Sequence, residues 1–289
     1  MMARSTGSLG FVGLALLLAG CASQVVGPGQ PDPVNNNLYA TLYLRTAAEY
    51  DALGRTIFGA AGLHIDALLS DSNHSAAIEQ RGQFSELPPG VIVDVDETVL
   101  DNSAYQATLV AENISYTTPH WDGWVAEAKA DAVPGAVAFA ISAASRGVTM
   151  LYLTNRRCIQ RDADGDPCPQ RAETIENLVR VGFPEPDPGN VYLRSAEFDF
   201  DSDKGSRRRA FAERYRIIML FGDDLGDFVS GLKEAGVTPA DRDAVVARHA
   251  ERWGREWFVL PNPSYGSWLG VLGDELYDQL EPWQTGDTK

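Results

Sequence analysis

Val91-Ile92-Val93-Asp94-Val95-Asp96-Glu97-Thr98 is an apolar, β-branched run that stops on two carboxylates one residue apart. Pro88-Pro89-Gly90 leads into it. Such a run predicts a short strand buried on both faces, the kind found inside a parallel sheet. Comparable apolar runs occur at residues 148–153, 191–193, 217–221 and 257–260, and helical patterns lie between them at 135–145, 172–181 and 204–215. A further helix is expected over 38–70, where Leu38, Leu42, Leu44, Ala48, Leu53 and Ile57 are spaced for one apolar face. Strands alternating with helices predict an α/β fold, a doubly wound parallel sheet covered on both sides. Ligands in such sheets bind beyond the carboxyl ends of the strands, so the residues just after each run are the candidates for chemistry.

Those residues are polar in a consistent way. The first strand runs into Asp94, Asp96 and Thr98, and the second into Thr154-Asn155-Arg156. Lys204 comes after the acidic stretch 199–203, and the run at 217–221 ends in Gly222-Asp223-Asp224-Leu225-Gly226-Asp227. Carboxylates converging from separate strand ends repel one another unless a cation sits among them. Asp94, Asp223 and Asp227 are hard oxygen ligands of the kind that suits Mg²⁺. An Asp carboxylate also serves as a nucleophile toward phosphorus, and a second acid two residues on can pass a proton to the leaving oxygen. Lys204 and the Thr154 hydroxyl would then hold phosphoryl oxygens.

The set Asp-x-Asp-x-Thr, Thr-Asn, a distant Lys and Gly-Asp-Asp-x-x-Asp resembles the haloacid dehalogenase superfamily of phosphohydrolases. More narrowly, residues 94–103, 153–156, 222–228 and 260–268 resemble bacterial class C acid phosphatases, a family that contains lipid-anchored 5′-nucleotidases. The resemblance spans residues 38–280. It implies a Rossmann-like core (88–103 and 134–262) with a small helical cap drawn from 38–85, 104–133 and the C-terminal segment, and a tail at 281–289. It implies that Asp94 is the nucleophile that becomes an aspartyl-phosphate and Asp96 the general acid and base. Mg²⁺ would be held by Asp94, the backbone carbonyl of Asp96, Asp223 and Asp227, and phosphate by Thr154, Asn155 and Lys204. Substrates would be phosphomonoesters, 5′-nucleotides and aryl phosphates, gripped by aromatics among Tyr105, Trp121, Trp124 and Tyr265, of which Trp121 and Tyr265 are favoured. Mildly acidic pH is expected to be best, because Asp96 must be protonated to donate while Asp94 stays ionised. Asp224 stands where the resemblance leads one to expect Asn.

Composition narrows the alternatives. The chain has 289 residues, 44% of them hydrophobic, and its 24 Lys and Arg against 40 Asp and Glu give a net charge of −16. That balance argues against binding polymeric nucleic acid. Residues 1–20 resemble a lipoprotein signal peptide. An apolar run leads into Leu18-Ala19-Gly20-Cys21, which makes Cys21 a lipidation candidate, and residues 21–37 read as a flexible tether. The expected location is the cell envelope, at its outer membrane. In an exported protein Cys158 and Cys168 are a candidate disulfide. Arg207-Arg208-Arg209 reads as a solvated charge run, because adjacent helical residues point in different directions. Two rival readings remain at this stage: a phosphotransferase using the same intermediate, and a non-catalytic ligand-binding lipoprotein. A homodimer is neither required nor excluded.

Overall fold

The computed structural model describes residues 36–280. The expected signal peptide at 1–20, Cys21, most of the expected tether and the tail at 281–289 lie outside the described residues. Five parallel strands form the main sheet. They are β1 (Pro89–Val93), β4 (Thr149–Arg157), β5 (Val191–Arg194), β6 (Arg216–Gly222) and β7 (Trp257–Val259), in the order β5-β4-β1-β6-β7. The strand that decides the fold from sequence is therefore the central one, pairing Val93 with Tyr152 on one side and Phe221 on the other. Its alternating side chains feed two separate cores. Val91, Val93 and Val95 join Phe58, Ile65, Phe139 and Phe221, whereas Ile92 joins Leu151, Leu220, Phe211 and Trp257. The first face is covered by α2 (Ala48–Ser70), α5 (Ala136–Ala144) and α6 (Pro169–Arg180), and the second by α7 (Gly205–Ala212) and the segment around Ala76.

Residues 100–132 leave the sheet and return through a two-stranded antiparallel ribbon, β2 (Leu100–Asp101) with β3 (Asp131–Ala132). Between them stand α3 (Ser103–Ala111) and α4 (Thr118–Glu127), the latter started by the Thr117 hydroxyl accepting the His120 N–H. The helix expected over 38–70 is two helices. The chain becomes extended at Ala47 (φ −81°, ψ 124°), which separates α1 (Leu38–Thr46) from α2. The break has a consequence for the cap. α1 packs on α3, while α2 buries Phe58, Ala61, Ile65 and Leu68 in the sheet's own core. Helix α2, inside the stretch assigned to the cap from sequence, is thus a layer of the core. Helix α8 (Pro239–Arg248) and the short α9 (Ser267–Gly270) complete the described elements of α-helix. No helix among the described residues is long and apolar enough to cross a membrane.

Candidate active site

Asp94 comes directly after β1, its N–H donating to the Phe221 carbonyl at 3.0 Å, so β6 continues to pair past the end of the strand and fixes the carboxylate's position. Asp223 and Asp227 come after β6. One carboxylate oxygen from each of Asp94, Asp223 and Asp227 lies within 4.8 Å of the others. Gly222 makes this approach possible, because any side chain there would overlap the Asp227 carboxylate. Lys204, just ahead of α7 and buried, reaches into the group with Nζ 2.6 Å from Asp94 and 2.5 Å from Asp227. Burial works against the Lys204 ammonium, but Asp227 and Asp94 outweigh it and hold its pKa above the ordinary lysine value. Three carboxylates against one ammonium leave the cluster two negative charges in excess. Burial first, then the neighbouring acids, raise Asp94 to about 6 despite Lys204, and push Asp223 well above the carboxylate range. Hard oxygen donors with an uncompensated double negative charge fit a divalent cation.

Asp96 is held apart from this cluster by neutral and cationic donors. Arg156 Nη2 and Nε lie 2.8 and 3.1 Å from its Oδ1, Asn102 Nδ2 donates to the same oxygen at 2.9 Å, and the Thr154 hydroxyl donates to Oδ2 at 3.2 Å. The Trp124 indole N–H in turn donates to Asn102 Oδ1 at 2.7 Å. Two carboxylates two residues apart in sequence therefore live in different surroundings. One faces an ammonium and two acids, and the other faces a guanidinium, an amide and a hydroxyl. That division suits a nucleophile and a proton carrier.

A model of the family described as HAD superfamily, subfamily IIIB (Acid phosphatase) matches residues 64–268. The chain belongs to that family. It is an enzyme, an acid phosphatase acting on phosphomonoesters. Among solved structures it is similar to the class C acid phosphatase of Bacillus anthracis with tungstate bound, at 29% identity and a TM-score of 0.72, covering 87% of this chain and 99% of that one. A second structure of the Bacillus anthracis enzyme gives 30% identity and a TM-score of 0.68, over 87% of this chain and 92% of that one.

Several residues of the phosphatase stand differently from their sequence reading. Asn155 is on β4, but its amide donates to the Ser202 carbonyl and its oxygen accepts from Arg207 Nη2 at 2.7 Å. It thereby braces the loop that delivers Lys204. Arg207 and Arg208 are fully buried, which overturns the solvated charge run. Arg207 also donates to the carbonyls of Thr154, Asp201 and Asp203. Arg208 pairs with Glu79 at 2.6 Å and donates to the carbonyls of Gly226 and Asp227. Both arginines thus secure the loops bearing site residues, and only Arg209 of the three is exposed.

Asp224 points out of the acidic cluster. Its Oδ1 caps the 3-10 turn Leu225–Asp227 by accepting from Gly226 N–H, and its carboxylate also accepts from the Ser267 N–H and hydroxyl. Burial works against its charge, but nearby Lys233 and these hydrogen bonds outweigh it, so its pKa falls below the usual carboxylate value. Asn262 Nδ2 donates to Asp223 Oδ2 at 2.8 Å, a contact that no spacing in the sequence signals.

The aromatics divide as well. Trp121 lies on α4, partly exposed, and lines a cavity with Asn155 and Arg156. Tyr105 is only 3% exposed and packs edge-on against Trp121 at 4.9 Å between centroids. It supports that ring and has no face free for substrate. Tyr265 is partly exposed, outside the wall of this cavity, and its hydroxyl donates to Glu97. Glu97 is buried in a left-handed backbone conformation (φ 57°), with its other oxygen accepting the Asn102 N–H at 3.0 Å. Such backbone geometry is retained where its surroundings over-determine it, and here it turns the chain between Asp96 and Asn102. Cys158 and Cys168 are joined in a disulfide beside the same cavity, whose wall includes Ile159 and Gln170.

Proposed function

We propose that this phosphatase hydrolyses 5′-nucleotides and aryl phosphates through an aspartyl-phosphate on Asp94, with Mg²⁺ as its metal. The observation that carries the reading is the segregation just described: Asp94 among carboxylates and the Lys204 ammonium, Asp96 in a separate cradle of Arg156, Asn102 and Thr154. Asp94 attacks phosphorus, and the leaving oxygen takes its proton from Asp96 as the ester bond breaks. Asp96, now ionised, removes a proton from the water that cleaves the acyl phosphate, and inorganic phosphate departs. Lys204 and Thr154 offset charge on the phosphoryl oxygens while Asn155 steadies the Lys204 loop. The Mg²⁺ ligands would be Asp94, the Asp96 carbonyl, Asp223 and Asp227, and when bound the ion supplies charge neutralisation between nucleophile and phosphate.

The leaving group lies against Trp121, in the cavity that this ring lines with Asn155 and Arg156. Activity peaks at mildly acidic pH, and a divalent cation bound among the carboxylates would keep Asp94 ionised there. The enzyme works in the cell envelope, tethered by lipid on Cys21, a placement supported by the apolar run that leads into Leu18-Ala19-Gly20-Cys21 and compatible with the Cys158–Cys168 disulfide. The test is phosphate release from a 5′-nucleotide and an aryl phosphate near about pH 5.5, with Mg²⁺ or EDTA, for wild type and Asp94→Asn. Turnover that needs metal and vanishes in the variant supports the reading. Full activity in Asp94→Asn refutes it.

A further inference from the structure

Arg156, whose guanidinium holds Asp96, also lines the cavity that contains Trp121, and two more arginines, Arg157 and Arg194, stand in its wall. Arg157 and Arg194 are register partners across the parallel β4–β5 ladder. Like charges set opposite each other on adjacent strands are destabilising. The chain has only 24 basic residues against 40 acids, so two cations at one such position conflict with its overall charge balance. Neither forms an ion pair among the described residues. Arg157 is exposed, with its guanidinium 4.9 Å from the centre of the Phe200 ring, and Arg194 donates twice to the Phe200 carbonyl.

Burial first and then the Arg157 charge lower the Arg194 pKa, with Asp201 opposing them. The one carboxylate in the cavity wall, Asp122, is already committed to Arg161 and Gln170. The cavity also offers aromatic surface, since the Trp121 ring lines it with Tyr116 6.4 Å away at a 43° tilt, and Arg156 sits 5.9 Å from the centre of the Trp121 ring.

We infer that Arg157 and Arg194 form a second anion subsite, selecting phosphomonoesters whose leaving group is a flat ring that carries an acidic group of its own. The inference rests on the phosphatase reading, with the ester oxygen at Asp96 and the ring along Trp121. A local repulsion is tolerated in the free enzyme because a bound anion relieves it. A locally unfavourable pairing that no neighbouring carboxylate closes as an ion pair is the pattern expected at a functional position.

The experiment compares para-carboxyphenyl phosphate with its neutral isostere para-carbamoylphenyl phosphate, using the intact enzyme with Mg²⁺. The measured quantity is the ratio of their kcat/KM values. In wild type the ratio should favour the carboxylate by roughly 10- to 100-fold, the range for hydrogen bonds to a charged group. It should fall toward one in Arg157→Gln and in Arg157→Gln/Arg194→Gln, be largely kept in Arg194→Lys, and shrink with added salt. A wild-type ratio near one, or a ratio that survives the double variant, overturns the subsite.

Absence of turnover of either ester by folded wild type would instead be a failure of the catalytic reading. Calorimetric titration with para-carboxyphenylphosphonate and para-carbamoylphenylphosphonate then decides the subsite on its own. Tighter binding of the carboxylate that is lost in Arg157→Gln supports it, and equal binding overturns it.

Discussion

Replacing Arg208 by Met should unfold this protein more readily than any exposed arginine substitution, and the structure gives the size. Arg208 is fully buried, with hydrogen bonds to Glu79 at 2.6 and 2.9 Å, to the Gly226 and Asp227 carbonyls at 2.8 and 3.0 Å, and to the Ser230 hydroxyl. Methionine keeps most of the side-chain volume and removes every donor. The buried Glu79 carboxylate is then left without its countercharge, and such a break costs about 3–5 kcal/mol. In a domain of this size that corresponds to a loss of roughly 6–20 °C in Tm.

The sign of the second step is the stronger test. Glu79→Leu alone strands the arginine, but in Glu79→Leu/Arg208→Met no buried charge remains. The double variant should therefore recover about 2–3 kcal/mol relative to Arg208→Met. Urea unfolding in EDTA, which removes metal linkage from the comparison, measures all four corners of the cycle. A cost for Arg208→Met within about 0.5 kcal/mol, the usual effect of a surface change, would refute the assignment. So would strictly additive effects of the two substitutions.

Asp96→Asn should lower kcat by about 10²–10⁴-fold on alkyl phosphates, whose leaving oxygen needs a proton, and by much less on para-nitrophenyl phosphate. Equal losses on both would argue against Asp96 as the acid. Asp94 is raised to about 6 from an ordinary 3.8, so the unfolded chain releases this proton first and the metal-free protein loses stability as pH rises from about 4 through 6. Mg²⁺ opposes that loss, and the Tm difference between Mg²⁺ and EDTA should be larger at about pH 7 than at about pH 4.5, read by scanning fluorimetry. Cys158→Ser/Cys168→Ser opens a loop of sequence separation 10 and should cost about 2–3 kcal/mol by chemical denaturation, with wild type in reductant matching the variant.

The legible part of this molecule is the part in which chemistry depends directly on position along a strand. A buried parallel strand has to read as an apolar run, and the residues beyond its carboxyl end have to lie at the ligand-binding edge. Asp94, Thr154, Asp223 and Asp227 therefore announce themselves at or just beyond the ends of such runs. Other residues owe their roles to partners remote in sequence. Nothing near Arg208 points to Glu79, 129 positions earlier, and nothing near Asn155 points to the Ser202 carbonyl it holds. The break at Ala47 carries neither Pro nor Gly, so the stretch reads as one helix. Of the face expected there, Leu38, Leu42, Ala48 and Leu53 are exposed, while α2 buries Phe58, Ala61 and Ile65 instead. The break is imposed by the separate surfaces that α1 and α2 cover.

Asp224 shows the same limit at shorter range. In sequence it is one more acid beside Asp223, yet a single 3-10 turn points its side chain away from the Asp94, Asp223 and Asp227 carboxylates to cap Gly226 and hold Ser267. Its negative charge is thereby matched to N–H and O–H donors and kept from deepening the excess charge around Asp94. The acid-rich motif can carry this extra carboxylate because the turn, and not the residue type, decides which acids join the cluster around Asp94.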